Sequence, residues 1–389
     1  MQLQNTHTAD LLVAAGVILS QCLVGRLFFR DAGSYLPSKW QRPARSALYG
    51  IWAVTLCGLV MDLLAMRYRG SHLPSFIRVA SVCVEILWSF GSGLAALIWM
   101  FWRSRLAPHS QSRRTALRTA AACTVAAPFA VVGFGALVER SRFEVSEVEF
   151  PVPGLHPDLE GLRIAQISDL HVSPFLSIRE AARVIDITNE LRPHLTVMTG
   201  DLISEFGDPL DAVIYQLGRL RAEAGVLGCL GNHEMYAECE NYTAREAARR
   251  GVTFLRGEAR QLKWGQGVLN VAGVDFQRFS NRANYLPGSE RLVRPGTSNL
   301  LLSHNPDVFP VAVRKGFDAV LAGHTHGGQV TMEIVSRTVN LARFFTPYVR
   351  GLYRLDGNSC YVNNGIGTIS MPVRLGAPPE ITLLRLRRA

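Results

Sequence analysis

The chain has 389 residues and a formal net charge of +10, long enough for more than one domain. A basic balance suits nucleic acid, anionic lipid or acidic substrates, but much of the arginine lies in short stretches between hydrophobic runs, as membrane topology requires, so no nucleic-acid partner is expected. The seven cysteines form no Cys-x-x-Cys pair, which argues against zinc knuckles and thioredoxin-type sites; Cys229 and Cys239 are read as ordinary buried thiols.

Four runs in the first third are long enough to cross a bilayer, which takes about 20 apolar residues. They are Leu11–Phe29, Ser46–Met66, Val79–Trp102 and Thr119–Val138. The start at Gln2-Leu3-Gln4-Asn5 lacks the basic leader of a signal peptide, so the first run is read as a span. The first intervening loop holds Arg30, Lys39, Arg42 and Arg45, the second Arg67, Arg69 and Arg78, and the third Arg103, Arg105, Arg113, Arg114 and Arg118. Loops rich in Lys and Arg stay cytoplasmic, which places both termini outside. Ser112-Arg113-Arg114-Thr115 before the fourth run resembles a twin-arginine export signal, or simply anchors that run, with the same topology. Asp62 and Glu85 fall within the runs, where ionisable groups are costly and mark polar sites. The expected organisation is a four-span transmembrane helical bundle over residues 1–142, with the lipid bilayer as partner, followed by a second domain over 143–389.

After Glu139-Arg140-Ser141-Arg142 the pattern changes. Phe143 to Val152 alternates like an edge strand. Strands are expected at Leu162–Ile167, Leu195–Met198, Val226–Leu230, Val268–Val274, Leu300–Leu302 and Ala319–Leu321. Helices are expected at Ser177–Leu191, where Ser177 and Glu180 make a capping box, at Leu210–Ala224, and at Asn241–Arg250, closed by Gly251. This alternation predicts an α/β domain, a layered sandwich with mixed sheets, whose ligand sites lie past the carboxyl ends of its strands.

Five polar clusters stand at those ends: Asp169-Leu170-His171, Gly200-Asp201, Gly231-Asn232-His233-Glu234, His304, and Gly323-His324-Thr325-His326-Gly327. Two carboxylates, Asp169 and Asp201, four imidazoles, His171, His304, His324 and His326, and the amide oxygen of Asn232 suit borderline divalent metals such as Mn, Fe or Zn more than Mg. They are too many for one ion. A two-metal site, with ions roughly 3.5–4 Å apart clamping a displacement at phosphorus, needs about this number. Asp201, on a short Gly-Asp turn, is the natural bridge. Asp275 is either a turn residue or a support behind a ligand, His194 an ordinary surface residue, Phe344-Phe345 a core hairpin, and Arg374 either a substrate-anion binder or a partner of Glu380.

The order Asp-x-His, Gly-Asp, Gly-Asn-His-Glu, lone His, Gly-His-x-His resembles the calcineurin-like metallophosphoesterases, from Leu162 to the C-terminus. The stretch Gly323 to Gln329 and the tail Gly365-Ile366-Gly367, Arg374 and Pro378-Pro379-Glu380-Ile381 resemble the membrane-associated bacterial branch. The resemblance implies that Asp169, His171 and His326 hold one metal, that Asn232, His304 and His324 hold a second, and that Asp201 bridges. It implies that His233 ligates neither and sits beside the leaving group as general acid, or stabilises phosphoryl charge.

The expectation is therefore a phosphoester or pyrophosphate hydrolase, multi-pass in the bacterial inner membrane with its catalytic domain extracytoplasmic, acting on a phosphorylated, lipid-linked or membrane-surface substrate. The branch includes hydrolases of UDP-diacylglucosamine in lipid A synthesis, but an outward-facing site argues against that cytosolic substrate. A different class of function keeps the bundle as a transporter or sensor, with the phosphoesterase as its regulatory appendage.

Overall fold

The computed structural model of the chain describes residues 130–334, 337–369 and 372–389, with short pieces between residues 18 and 101. The chain divides into two compact units, Met1–Gly135 and Ala136–Ala389. In the first, the described pieces before residue 130 are helical, and Gln21 joins three of them: its Nε2 donates to Ser92 Oγ at 3.2 Å and its Oε1 accepts from Trp52 Nε1 at 3.1 Å.

The expected four-span bundle is not seen. Among the described residues no helix is long and apolar enough to cross a membrane. Most of the runs Leu11–Phe29, Ser46–Met66, Val79–Trp102 and Thr119–Val138 lie outside the described residues. Within those runs the longest described helical stretch is residues 130–137, roughly 12 Å at 1.5 Å per residue. An apolar run marks a span only where it forms one continuous helix of about 20 residues, and composition alone does not establish that continuity. The multi-pass inner-membrane localisation, with the orientation drawn from the loop arginines, falls with the bundle.

The second unit is the expected α/β sandwich with mixed sheets. One six-stranded sheet runs in the order β1 (Glu144–Val152), β14 (Glu380–Arg388), β2 (Arg163–Ile167), β3 (Leu195–Thr199), β4 (Val226–Cys229) and β5 (Val252–Phe254). The other runs β12 (Gly351–Leu355), β13 (Asn358–Val362), β9 (Ala319–Ala322), β8 (Ser298–Leu302), β7 (Gly267–Gly273) and β6 (Glu258–Trp264). A hairpin of β10 (Thr331–Ile334) and β11 (Arg337–Asn340) stands apart.

The central strands β2, β3, β4, β8 and β9 form because their apolar runs are buried on both faces. Alternate residues point to opposite sides, so Leu300 and Leu302 enter the layer between the sheets while Leu301 faces the outer core. The inter-sheet layer also takes Ile164, Leu195, Val197 and Leu227 from the first sheet and Val271, Ala319, Leu321 and Tyr361 from the second. Outside the first sheet pack α1 (Ile178–Glu190), α2 (Leu210–Leu217) and α4 (Glu240–Ala248); the short helix α3 (Asn232–Tyr236) follows β4. Helix α1 starts at the Ser177–Glu180 capping box, and Ala181, Val184, Ile185 and Thr188 make its buried stripe. Helix α2 ends at Leu217 because Gly218 caps it, short of the expected Ala224.

Strands β2, β3, β4 and β5 are mutually parallel, as are β7, β8, β9 and β13. Parallel strands end together, so the loops after β2, β3, β4, β8 and β9 gather at one end of the sandwich. Beneath them Gln166 ties the two sheets, its Nε2 donating to Thr199 Oγ1 at 3.1 Å and to Ala322 O at 2.9 Å.

Leu302 is fully buried between the sheets, so Leu302→Ala is expected to lower stability by about 2–5 kcal/mol. Denaturant unfolding of the purified chain checks this; a loss below about 1 kcal/mol would mean that the inter-sheet layer is not tightly packed.

Candidate metal centre

Five loops carry the ligand candidates, and the backbone is forced where they leave the strands. Asp169, His171, Asp201, His324 and His326 all have positive φ, between 45° and 74°, in the left-handed region that costs an ordinary residue of order 1–3 kcal/mol. The loops hold each other in that shape. Asp169 N donates to Gly200 O at 2.9 Å, His171 N to Asp201 O at 3.0 Å and Val172 N to Leu202 O at 2.9 Å. Glu234, fully buried, accepts from Gly231 N at 2.8 Å, Asp201 N at 3.1 Å and Leu202 N at 2.6 Å, fastening the loop after β4 to the loop after β3.

Two glycines are required by close approach. Gly200 has φ +94°, and a Cβ there would lie 2.6 Å from Gly231 N and 2.7 Å from His304 Nδ1. A Cβ on Gly323 would strike Ser168 Oγ and the Asp169 carboxylate.

The side chains converge. Asp169, His171 and His326 form one group of possible ligands, Asp201, His304 and His324 another, and His171, Asp201 and His233 a third; within each, one ligand atom per residue lies within 4.8 Å of the others. Asp201 Oδ2 is 3.4 Å from His171 Nε2 and 3.0 Å from His304 Nε2, so a single oxygen faces both ends of the cluster. Asp169 Oδ1 is 3.3 Å from His326 Nε2 and 3.9 Å from His171 Nε2. Asn232 Oδ1 lies 3.1 Å from His304 Nε2, and that nitrogen is 3.0 Å from His324 Nδ1. Every residue that the sequence names as a ligand is thus in one cluster.

The donor set fits divalent cations. His326 Nε2 and His171 Nε2 meet at 3.1 Å, two imidazole nitrogens facing each other beside two buried carboxylates. Nitrogen lone pairs and carboxylate oxygens converging in a buried space need positive charge to hold them together.

The protein groups divide their protons unequally. Burial alone would raise the Asp201 carboxyl, but His304 and His171 hold it well below the usual carboxylate range. Asp169 is raised by burial. His304 is pushed up to about 10, the carboxylates of Asp201 and Asp169 outweighing its burial. His324 is pushed down to about 3 by burial and the neighbouring His304 charge, and His326 goes well below its usual value for the same kind of reason. Outer partners orient the rings: His304 Nδ1 meets Thr199 O at 2.6 Å, His326 Nδ1 meets Gly367 O at 3.3 Å and His171 Nδ1 meets Ser204 Oγ at 3.3 Å. Such partners fix a ligand's tautomer and aim.

His233 stands at the edge of the cluster, its ring 4.6 Å from that of His171. Its backbone N–H donates to Asp201 Oδ1 at 2.9 Å, and its Nδ1 is hydrogen-bonded to the Ser204 carbonyl. A carbonyl only accepts, so Nδ1 carries the proton and Nε2 is left for the site. Burial lowers its pKa.

Arg374 does not lie on an exposed face. It is fully buried, and its guanidinium donates to the carbonyls of Ala377 at 2.8 Å, Asn364 at 3.0 Å, Gly365 at 3.1 Å and Gly367, with Nη2 3.5 Å from His326 Nδ1. Burial brings its pKa down to about 10. Glu380, its expected alternative partner, instead accepts from Tyr361 OH at 2.5 Å and Asn364 N at 3.0 Å. Asp275 forms an ion pair with Arg256 at 2.8 Å, His194 accepts from Arg163 N at 2.9 Å, and Phe345 is exposed. Ser204 and the role of Glu234 escape sequence reasoning. The available signal is position: Ser204 falls three residues after Asp201, and Glu234 closes the Gly-Asn-His-Glu cluster.

Comparison with known proteins agrees with this geometry. The model of the calcineurin-like phosphoesterase family matches residues 162–328. A Bos taurus protein named transmembrane protein with metallophosphoesterase domain is 30% identical over 311 residues, 74% of this chain and 67% of its own. An uncharacterized metallophosphoesterase of Bacillus subtilis is 28% identical over 260 residues, 66% of this chain and 89% of its own. Another, from Helicobacter pylori, is 25% identical over 384 residues, 97% of this chain and 98% of its own. With ligand candidates from five loops gathered around Asp201, the chain belongs to the calcineurin-like phosphoesterase family and is a phosphoester hydrolase.

Proposed function

We propose that the chain hydrolyses phosphoester or pyrophosphate bonds at a dinuclear divalent-metal centre. Asp169, His171 and His326 would hold one ion, Asn232, His304 and His324 the other, and Asp201 would bridge. The observation that carries this reading is Asp201 Oδ2, placed 3.4 Å from His171 Nε2 and 3.0 Å from His304 Nε2. When bound, the ions would polarise the phosphoryl group and lower the pKa of an attacking water.

The chain's own residues do the rest. Ser204 O fixes the His233 tautomer, which directs Nε2 at the leaving group, where a protonated ring gives its proton to the departing oxygen. Glu234 holds Asp201 and Gly231 in register. Arg374 braces the carbonyls behind His326, and its burial keeps it from the substrate anion. The lipid-linked substrate and the bundle-centred transporter or sensor rested on hydrophobic runs that lie mostly outside the described residues, and the reading is confined to the bond cleaved.

The purified chain with Mn and bis-p-nitrophenyl phosphate is expected to show metal-dependent turnover. Asp201→Asn should abolish it. His233→Ala should lower kcat by about 10²–10⁴ with metal content retained. Turnover that survives chelation, or that survives Asp201→Asn, would sink the reading.

Metal loading has a pH signature. His304, at about 10, is protonated at neutral pH and must lose that proton to ligate, whereas His324, at about 3, is already neutral. The affinity for Mn should therefore rise with pH between 6.5 and 8.5, by about tenfold per unit for one displaced proton. Titration calorimetry at three pH values checks this; a flat affinity would show that no proton leaves on binding.

A further inference from the structure

We propose that Tyr236 sets leaving-group specificity, stacking against a planar aromatic group esterified to the substrate phosphorus. This rests on the phosphoester reading above. His233 and Tyr236 lie three residues apart on the same short helix and so share a face; their ring centroids are 5.7 Å apart at an interplanar angle of 66°. Whatever oxygen His233 protonates, the group attached to it passes this ring. Tyr236 is 65% exposed and belongs to none of the three apolar cores, so the fold does not account for an aromatic ring there. Its neighbour Met235 receives Arg278 Nη2 at 3.1 Å, which puts a guanidinium beside the same mouth and suits an anionic phosphate ester.

The other aromatic rings near the metals differ. Phe276 lies 5.4 Å from the His324 ring and 5.8 Å from that of His304. Phe279 lies 5.1 Å from His324 and carries the Arg282 guanidinium 5.4 Å from its centroid. Arg282 is itself held by Asp307 at 2.8 Å. Those rings pack against ligand candidates and are half-buried. Tyr236 is the ring left open beside the proton donor. A stacked ring is tolerant of identity, because every planar π system offers a face, so an aryl alcohol and a nucleoside share the required chemistry.

The test uses the Mn-loaded full chain and ligands that cannot turn over. Methylphosphonate, cyclohexylphosphonate, phenylphosphonate and the 5′-methylenephosphonate analogue of adenosine monophosphate are titrated into wild type, Tyr236→Phe and Tyr236→Leu by calorimetry, with metal content measured in each. Wild type should bind phenylphosphonate or the nucleoside phosphonate about tenfold more tightly than methylphosphonate, and whichever of the two gains names the source of the ring. Tyr236→Phe should keep that preference and Tyr236→Leu should lose it at unchanged metal content. A gain by phenyl that cyclohexyl matches, equal binding of all four, or a preference that survives Tyr236→Leu would overturn the assignment while leaving phosphoester binding intact. Failure of every ligand to bind a metal-loaded chain would overturn the phosphoester reading as well.

Discussion

The structure turns on one buried carboxylate. Asp201 sits between two imidazoles, with Oδ2 within 3.4 Å of both His171 Nε2 and His304 Nε2, while Oδ1 accepts the His233 N–H at 2.9 Å. Burying a carboxylate is costly unless charge and hydrogen bonds compensate, and here both do, so the group stays ionised although burial opposes it. The neighbouring sequence follows from fitting that carboxylate in place. A side chain at Gly231 would collide with it, one at Gly200 would collide with the loop beside it, and Glu234 is spent holding its backbone.

The strain at the site explains why a rigid sandwich lies beneath it. Five ligand candidates adopt the left-handed region, a conformation that persists only where the surroundings over-determine it. Two six-stranded sheets whose central strands are buried on both faces supply that constraint, and Gln166 locks them together just below the ligand candidates. His233 is placed by the same device: the Ser204 carbonyl that fixes its tautomer belongs to the loop that follows Asp201, so the proposed ligands and the proposed proton donor share one scaffold.

The candidate site was legible in the sequence because the ligand candidates follow their strands closely. Asp169 comes two residues after Ile167, Asp201 two after Thr199 and His304 two after Leu302, so locating the apolar runs located the chemistry. What escaped depends on distant partners. Strand β14 enters the first sheet between β1 and β2, and its Arg385 and Arg387 pair with Glu147 and Glu149 across the neighbouring strand, partners far away in sequence. In the sequence Arg374 is open between an anion binder and a partner of Glu380, because burial cannot be read from a lone arginine near the C-terminus; the structure buries it against backbone carbonyls. The hydrophobic runs before residue 139 misled differently: apolar length alone was taken for a spanning helix, and no described helix has that length.

The central claim is that Asp201 is shared by two ions. Anomalous diffraction from crystals of the Mn-loaded chain tests it most directly. Two peaks are expected, about 3.5–4 Å apart, one beside Asp169, His171 and His326, the other beside Asn232, His304 and His324, with the Asp201 carboxylate between them. A single peak at full loading, or two peaks with Asp201 bound to only one, would contradict the account.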